Sequence, residues 1–289
     1  MALPLVVGVD GSESSLLAVD WAVDEAARHD LPLRLVYASL WERYEGALPP
    51  GGGERPSEEV LAQHIVTSAA DRAERHNPDV KVTTDIVPED AAAALVRESD
   101  GAFALVTGSR GRGLLKGLLL GSVGLAVAAR AHCPVVVVRG DRAGLAGTHG
   151  RIMLGLADAD TGAEALRFAF REAAVRDCTL DIVRTWRHPA YGGAEGDPLP
   201  ADKRADADAS ALLDTSLGDL IVAHPKVRVH RSVIEGNASR ILVDRSAASD
   251  LVIVGALRRT GRFGLQLGRV GHTLLHHAQC PVAVVPGRP

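Results

Sequence analysis

The sequence predicts an α/β protein with two tandem doubly wound units. Each unit is expected to contain a five-stranded parallel sheet of strand order 3-2-1-4-5, with helices on both faces. Three observations support this prediction. The chain repeats itself at a fixed offset, its short apolar runs alternate with helical runs, and its 289 residues suit two domains of ordinary size.

The repeat is carried by glycines and a cysteine at matching positions. Four pairs share one offset of 147 residues: Gly8 with Gly155, Gly108 with Gly255, Gly121 with Gly268, and Cys133 with Cys280. Four anchors at one offset indicate two copies of one unit. We therefore expect domains at 1–140 and 151–289, joined by a glycine-rich linker at 141–150.

The elements of each unit follow from the spacing of apolar residues. A short apolar run indicates a buried strand, and apolar residues at every third or fourth position indicate a helix. In the first unit the predicted elements are a strand at Leu5–Val9, a helix at Ser12–His29, a strand at Leu33–Leu40, a helix at Ser57–Arg75, a strand at Val80–Val87, a helix at Glu89–Ser99, a strand at Phe103–Gly108, a helix at Ser122–His132 and a strand at Val135–Val138. In the second unit strands are expected at Ile152–Leu156, Leu180–Trp186, Val227–Ile234, Leu251–Val254 and Val282–Val285. Alternating strands and helices of this kind form parallel sheets with helices on both faces.

This strand order places a topological switch point between the first and fourth strands. Ligands of open α/β sheets bind there, outside the carboxyl ends of the strands. The first strand ends in Gly8, Val9 and Asp10, and the fourth ends at Gly108. We therefore expect these two segments to face each other across one crevice.

The loop after the fourth strand has the composition of an anion site. It reads GSRGRGLLKGLLLGSV over residues 108–123. Gly111 and Gly113 let backbone N–H groups approach an anion without a Cβ in the way. The helix that opens at Gly121 and Ser122 leaves its first N–H groups without intrahelical partners, which favours a phosphate there. A tight structural turn is the alternative interpretation of the loop.

The sequence does not decide the roles of three charged residues expected at this crevice. Arg110 and Arg112 add positive charge, but solvation explains them equally well. Asp10 either bonds a ribose hydroxyl or a nucleotide-bound Mg²⁺, or closes the turn that starts the first helix. A Walker loop is excluded because the chain contains no Gly-Lys pair. GVDGSESS after the first strand does not fit the dinucleotide fingerprint.

The spacing Gly108-x-x-Gly111, nine residues, Gly121-Ser122 resembles the ATP-binding signature of the universal stress protein family. The GVDGS start and the CPVVVV ending also resemble that family, and the likeness covers nearly the whole chain twice, as in a tandem bacterial member. The resemblance implies an ATP-binding stress-response or signalling module that takes ATP with Mg²⁺. Independently of the resemblance, the three cysteines without a CxxC pair and an N-terminal sequence without signal-peptide features lead us to expect a cytoplasmic protein. The resemblance also implies a homodimer formed through the terminal strands. The residues implied to line the nucleotide are Gly8, Val9, Asp10, Ala38 near adenine, Gly108, Ser109, Arg110, Gly111, Arg112, Gly113, Gly121, Ser122 and Val123.

The second unit departs from this signature. Ala157 stands where the first unit has its acid, Arg258 replaces the second glycine, and Arg269 replaces the serine. Of the signature, only Gly255 and Gly268 remain. An arginine at a close-approach glycine changes the shape of a phosphate site, although its own charge can bind phosphate. We expect the second unit to bind ATP weakly or not at all, and to serve packing, dimerisation or an altered ligand.

Composition excludes other functions. A net charge of −4 and 3% aromatic residues argue against a nucleic-acid partner. The longest uncharged apolar stretch, Gly117–Ala129, is too short to span a bilayer, and three cysteines build no disulfide framework. His272 and His276 lack a third ligand, so we assign no metal site and no catalytic residue. A slow ATP hydrolase and a nucleotide-free scaffold remain the alternatives to a binding module.

Overall fold

The computed structural model describes residues 2–40, 58–111, 120–157, 159–186, 217–258 and 265–287. The predicted helix start at Ser57 lies outside this set. The chain divides into two compact units, Met1–Arg139 and Gly140–Pro289.

Unit 1 is a doubly wound α/β domain. Its elements are β1 (Leu5–Gly8), α1 (Glu13–His29), β2 (Leu33–Ala38), α2 (Glu58–His76), β3 (Val82–Val87), α3 (Ala91–Glu98), a 3-10 turn (Ser99–Gly101), β4 (Ala104–Gly108), α4 (Ser122–Ala128) and β5 (Val135–Val138). The strands pair in parallel in the order β3-β2-β1-β4-β5. The predicted order 3-2-1-4-5 is therefore confirmed, and the switch point lies between β1 and β4.

Some boundaries in unit 1 differ from the predicted ones for local reasons. The third strand starts at Val82 rather than Val80, because the Val80 N–H donates to the Asn77 carbonyl in a turn. The helix α4 ends at Ala128 rather than continuing to residue 132. The N–H groups of residues 130 and 131 both donate to the Val127 carbonyl at 3.0 and 2.9 Å, which closes the last turn.

Unit 2 repeats the architecture. Its elements are α5 (Arg142–Ala146), β6 (Arg151–Gly155), α6 (Ala159–Arg176), β7 (Thr179–Trp186), β8 (Arg228–Glu235), α7 (Ala238–Ser246), β9 (Leu251–Arg258), β10 (Leu265–Gln266), α8 (Arg269–His277) and β11 (Val282–Pro286), and residues 217–223 are also helical. Five of the strands pair in parallel in the order β8-β7-β6-β9-β11, while β10 pairs antiparallel with β9. The second unit thus has the same 3-2-1-4-5 order.

The stretch expected as a linker contains the short helix α5. Asp141 caps it by accepting a hydrogen bond from the Gly144 N–H at 2.8 Å. Gly147 ends it with φ of 64°, a left-handed conformation that glycine adopts without a Cβ penalty.

The core of each unit consists of strands buried on both faces. Strands such as Leu5–Gly8 and Val135–Val138 contain few or no polar residues because helices cover the sheet on both sides. The helix α1 covers unit 1 with a stripe of small and branched residues that includes Ala18, Val19 and Ala22, all fully buried. None of the described helices is both long and apolar enough to cross a membrane.

An ion pair occurs at equivalent positions in the two units, but the basic and the acidic residue are exchanged. In unit 1 the Arg34 Nε lies 3.0 Å from Glu98 Oε2. At the positions 147 residues further on, Arg245 Nη1 lies 3.0 Å from Asp181 Oδ2. The Asp181 side chain is 3% exposed, and its other oxygen accepts a hydrogen bond from Ser232 Oγ at 3.2 Å. The contact between the second strand and the helix before the fourth strand is therefore kept while its polarity is inverted.

Candidate functional site

The crevice at the switch point of unit 1 is formed by the segments that follow β1 and β4. Gly8 at the end of β1 is paired with Thr107 in β4. Beyond the strands, the Arg110 N–H donates to Ser14 Oγ at 3.1 Å, and Ser12 Oγ lies 3.4 Å from the Arg110 carbonyl oxygen. The start of α1 and the loop after β4 are thus in direct contact at the carboxyl ends of the strands, where the sequence predicts the site.

Asp10 holds the turn between β1 and α1. Its Oδ1 accepts hydrogen bonds from the Ser12 N–H at 3.0 Å and from Ser12 Oγ at 2.6 Å. Gly11 in this turn has φ of 75°, and Ser12 caps α1 by accepting from the Ser15 N–H at 3.2 Å. The turn-closing role that the sequence left as one alternative is therefore present. A role toward ligand stays a prediction.

The second oxygen of Asp10 lies against the loop after β4. A Cβ added to Gly111 would come within 2.7 Å of Asp10 Oδ2, which is closer than real Cβ contacts. A side chain at position 111 would therefore require the Asp10 carboxylate to move. Contact with Asp10 therefore favours glycine at position 111, in addition to the expected need to leave room for phosphate.

Gly108 also has a packing role. A Cβ there would lie 2.5 Å from the Ser14 carbonyl oxygen, in the first turn of α1. Gly8 behaves similarly, since its Cβ would lie 2.7 Å from Leu95 Cδ1. Both were named as nucleotide-lining residues from the family resemblance. The structure shows that each allows a helix to approach the ends of β1 and β4.

The start of α4 adjoins the loop. The Gly121 N–H donates to the Ser109 carbonyl at 2.8 Å, and a Cβ on Gly121 would have its nearest neighbour, the Gly111 nitrogen, at 3.7 Å. Gly121 caps the helix without a side-chain hydrogen bond, and Ser122 is exposed. The backbone of residues 109–111 and the first turn of α4 therefore meet at one place, with Val123 half-buried beside them.

The remaining predicted residues are distributed around this point. Ala38 ends β2, half-buried, and β2 adjoins the site because the Val9 N–H donates to the Val36 carbonyl at 2.9 Å. Arg110 is exposed. The predictions for Arg112 and Gly113 fall outside the described residues.

The equivalent crevice of unit 2 is built differently. A guanidinium N–H of Arg184 in β7 donates to the Ala157 carbonyl, across the segment where unit 1 has Asp10. The fourth strand was expected to end at Val254, but β9 continues to Arg258 and pairs antiparallel with β10, with Leu265 opposite Arg258. The predicted strand end is wrong because a pairing with a segment further along the chain extends the strand. In unit 1, β4 ends at Gly108.

The three cysteines are buried, and the histidine pair lies on α8. Burial raises the pKa of the Cys133 thiol to about 12, so this thiol stays protonated and is no nucleophile at neutral pH. Burial also raises the pKa of the Cys178 thiol. The rings of His272 and His276 lie with centroids 4.5 Å apart on α8.

Fold and site together define a tandem doubly wound α/β protein whose first unit has a glycine-rich crevice at the switch point. Residues 1–139 and 148–286 each match the Universal stress protein family. A universal stress protein of Mycobacterium tuberculosis is 31% identical over 292 residues, covering 98% of this chain and 96% of the relative. One of Mycobacterium bovis is 32% identical over 298 residues, covering 97% and 96%.

A solved universal stress protein from Archaeoglobus fulgidus has a similar fold. It covers 98% of both chains with a TM-score of 0.70 at 17% sequence identity. This likeness concerns the fold alone. The family matches and the relatives show that this chain belongs to the universal stress protein family and carries two of its domains in tandem.

Proposed function

We propose that unit 1 binds an adenine nucleotide, ATP with Mg²⁺, and that the protein acts as a nucleotide-dependent stress-response or signalling module. One observation carries the proposal. At the switch point, the backbone of residues 109–111 meets the first turn of α4, and Gly111 and Gly121 contribute no side chains of their own there. The N–H groups of Ser109, Arg110 and Gly121 already donate within the protein. The donors that we propose for the phosphate oxygens are therefore the N–H groups in the first turn of α4, which have no intrahelical partners.

The proposed roles follow the position of each residue. Residues 108–111 and Gly121, Ser122 and Val123 take the phosphates, together with Arg112 and Gly113. Ala38 at the end of β2 takes the adenine. Asp10, held by Ser12, takes a ribose hydroxyl or lies near the nucleotide-bound Mg²⁺.

The same geometry favours binding over turnover. Hydrolysis requires a base that positions a water molecule at the γ-phosphate. Asp10 is the carboxylate that the described residues bring to this crevice, and its Oδ1 already accepts two hydrogen bonds from Ser12. We therefore propose slow or no ATP hydrolysis, so that occupancy rather than chemistry changes the conformation or assembly of the protein.

We further propose that unit 2 binds ATP weakly or not at all. Two contacts support this proposal. The Arg184 side chain reaches the Ala157 carbonyl at the place of the missing acid, and the residues that correspond to the phosphate loop extend β9 and pair with β10. Backbone groups engaged in strand pairing are less available to a ligand. Unit 2 would then serve packing or dimerisation through the terminal strands, which sedimentation equilibrium of the full chain tests.

Isothermal titration calorimetry of the full chain with ATP and Mg²⁺ tests the proposal. We expect one site per chain. Two tight sites of equal affinity would contradict the assignment to unit 1, and the absence of binding at millimolar ATP would contradict nucleotide binding altogether. Analysis of small molecules released on denaturing the purified protein separates a binding module from a nucleotide-free scaffold.

A further inference from the structure

Unit 1 contains a buried hydroxyl group directly below the proposed site. Thr107 precedes Gly108 in β4 and is paired with Gly8 of β1 on one side and Val137 of β5 on the other. The residue is 5% exposed, and its Oγ1 is fully buried with no hydrogen-bond partner among the described residues. A buried hydroxyl without a partner is destabilising.

The repeat shows that the fold does not require this hydroxyl. The position 147 residues further on is Val254, also 5% exposed, paired with Gly155 as Thr107 is paired with Gly8. Valine and threonine have nearly the same shape and are both β-branched, so strand preference does not explain the difference. Unit 1 has the polar residue at the position where unit 2 has the apolar one.

The hydroxyl lies toward the first turn of α4. A Cβ built on Gly124 would lie 3.4 Å from Thr107 Oγ1 and 3.6 Å from the Gly108 carbonyl oxygen. Gly124 therefore keeps this space between β4 and α4 free of a side chain. In unit 2 the corresponding Cβ, on Gly271, would lie 4.0 Å from Val254 Cγ2, an apolar contact. The space between β4 and α4 in unit 1 thus has polar atoms on the side of β4, and it adjoins the first turn of α4, which we propose receives the phosphates.

We propose that the Thr107 hydroxyl belongs to the nucleotide site of unit 1 and hydrogen-bonds an oxygen of the phosphate chain, directly or through one water held between β4 and α4. The inference depends on the proposed function, because the ligand is the one proposed above. It explains why unit 1 keeps an unpaired polar group that its repeat replaces with a methyl. A buried group that gains its partner only in the complex favours the bound state.

The experiment compares Thr107→Val, Thr107→Ser and a control in the full chain, by thermal unfolding without ligand and by calorimetry with ATP and Mg²⁺. Thr83→Val is the matched control, because the Thr83 hydroxyl donates to the Leu33 carbonyl at 3.2 Å on a strand away from the crevice. We expect Thr107→Val to melt about 2–4 °C above the wild type without ligand and to bind ATP about tenfold more weakly. Thr107→Ser should bind ATP within about threefold of the wild type, and Thr83→Val should leave ATP affinity unchanged.

Three results would overturn the inference. Wild-type ATP affinity in Thr107→Val would show that the hydroxyl does not serve the ligand, even if the nucleotide binds as proposed. A melting temperature of Thr107→Val below that of the wild type would show that the hydroxyl already has a partner in the free protein. Failure of the wild type itself to bind ATP would remove the proposed function, and this inference with it, before any variant is measured.

Discussion

Replacing Gly111 by alanine tests the close approach between the two halves of the crevice. The new Cβ would lie 2.7 Å from Asp10 Oδ2, so the carboxylate has to move. Asp10 Oδ1 then loses or lengthens its hydrogen bonds to Ser12, which are 3.0 and 2.6 Å long. Hydrogen bonds to charged groups contribute about 1.5–3 kcal/mol, and the partial exposure of Asp10 places the expected loss of unfolding free energy at about 1–2 kcal/mol. The φ angle of Gly111 is not in the left-handed region, so the cost comes from the contact and not from the backbone.

Two measurements read out this change. Thermal unfolding should show a decrease of about 3–8 °C in the transition of unit 1. Calorimetry should show at least a tenfold loss of ATP affinity, because Asp10 and the loop backbone are both displaced. Gly101→Ala is the control, since a Cβ at this exposed position meets no atom within 4 Å.

A double-mutant cycle makes the test specific. In the Asp10→Ala background the Gly111→Ala methyl no longer meets a carboxylate, so its additional effect on stability should largely disappear. If Gly111→Ala melts like Gly101→Ala and binds ATP like the wild type, the close contact between Asp10 and the loop contributes neither to stability nor to ATP binding.

Three other predictions concern the site, the ion pair and the thiol. Gly121→Glu should abolish ATP binding with little change in melting temperature, because a Cβ there has 3.7 Å of room while the added negative charge repels phosphate; unchanged affinity by calorimetry would place the nucleotide elsewhere. Arg245→Met should lower unfolding free energy in urea by about 1–3 kcal/mol, since it leaves the buried Asp181 carboxylate with His230, Ser232 and, at 3.9 Å, Arg151 as its partners; a change below about 0.5 kcal/mol, the size of an ordinary surface substitution, would contradict the structural role of this pair. Cys133 should resist maleimide at pH 8 in the native protein and react after denaturation. Rapid labelling of the native protein would contradict the burial of this thiol. Because folding raises the pKa of the thiol to about 12, its contribution to stability should be lost as the pH rises from about 9 towards 12.

The strand order could be predicted because its signals are local. Most strands of unit 1 are short apolar runs, while the third is indicated by alternation of apolar and polar residues, and each helix has its own period. The constant offset between anchors such as Gly8 and Gly155 shows that the pattern occurs twice. The switch point follows from strand order by a general rule, and so does the expectation that Asp10 and Gly108 lie close together. No distant pairing had to be known for this part of the fold.

The parts that the sequence could not predict depend on contacts between distant residues. The extension of β9 to Arg258 requires pairing with Leu265, and the residues involved have the composition of a loop. The hydrogen bond from Arg184 to the Ala157 carbonyl joins residues 27 positions apart. The steric need for glycine at position 108 comes from the Ser14 carbonyl in another element. The family resemblance names Gly108 as a nucleotide-lining residue and gives no packing reason for a glycine there.

The inverted ion pair is a similar case. Arg34 and Asp181 occupy equivalent positions with opposite charges, and an alignment of the two units shows only a mismatch there. The structure shows that their partners, Glu98 and Arg245, also have opposite charges, so both units keep the ion pair. Such compensation is visible once the partner of each residue is known.

A crystal structure of the full chain grown with ATP and Mg²⁺ tests the central claim most directly. We expect density for one nucleotide per chain, with its phosphate chain against the backbone of residues 109–111 and the first turn of α4, and with Arg184 still donating to the Ala157 carbonyl in unit 2. A nucleotide bound in unit 2 alone, or bound to unit 1 away from the switch point, would contradict it.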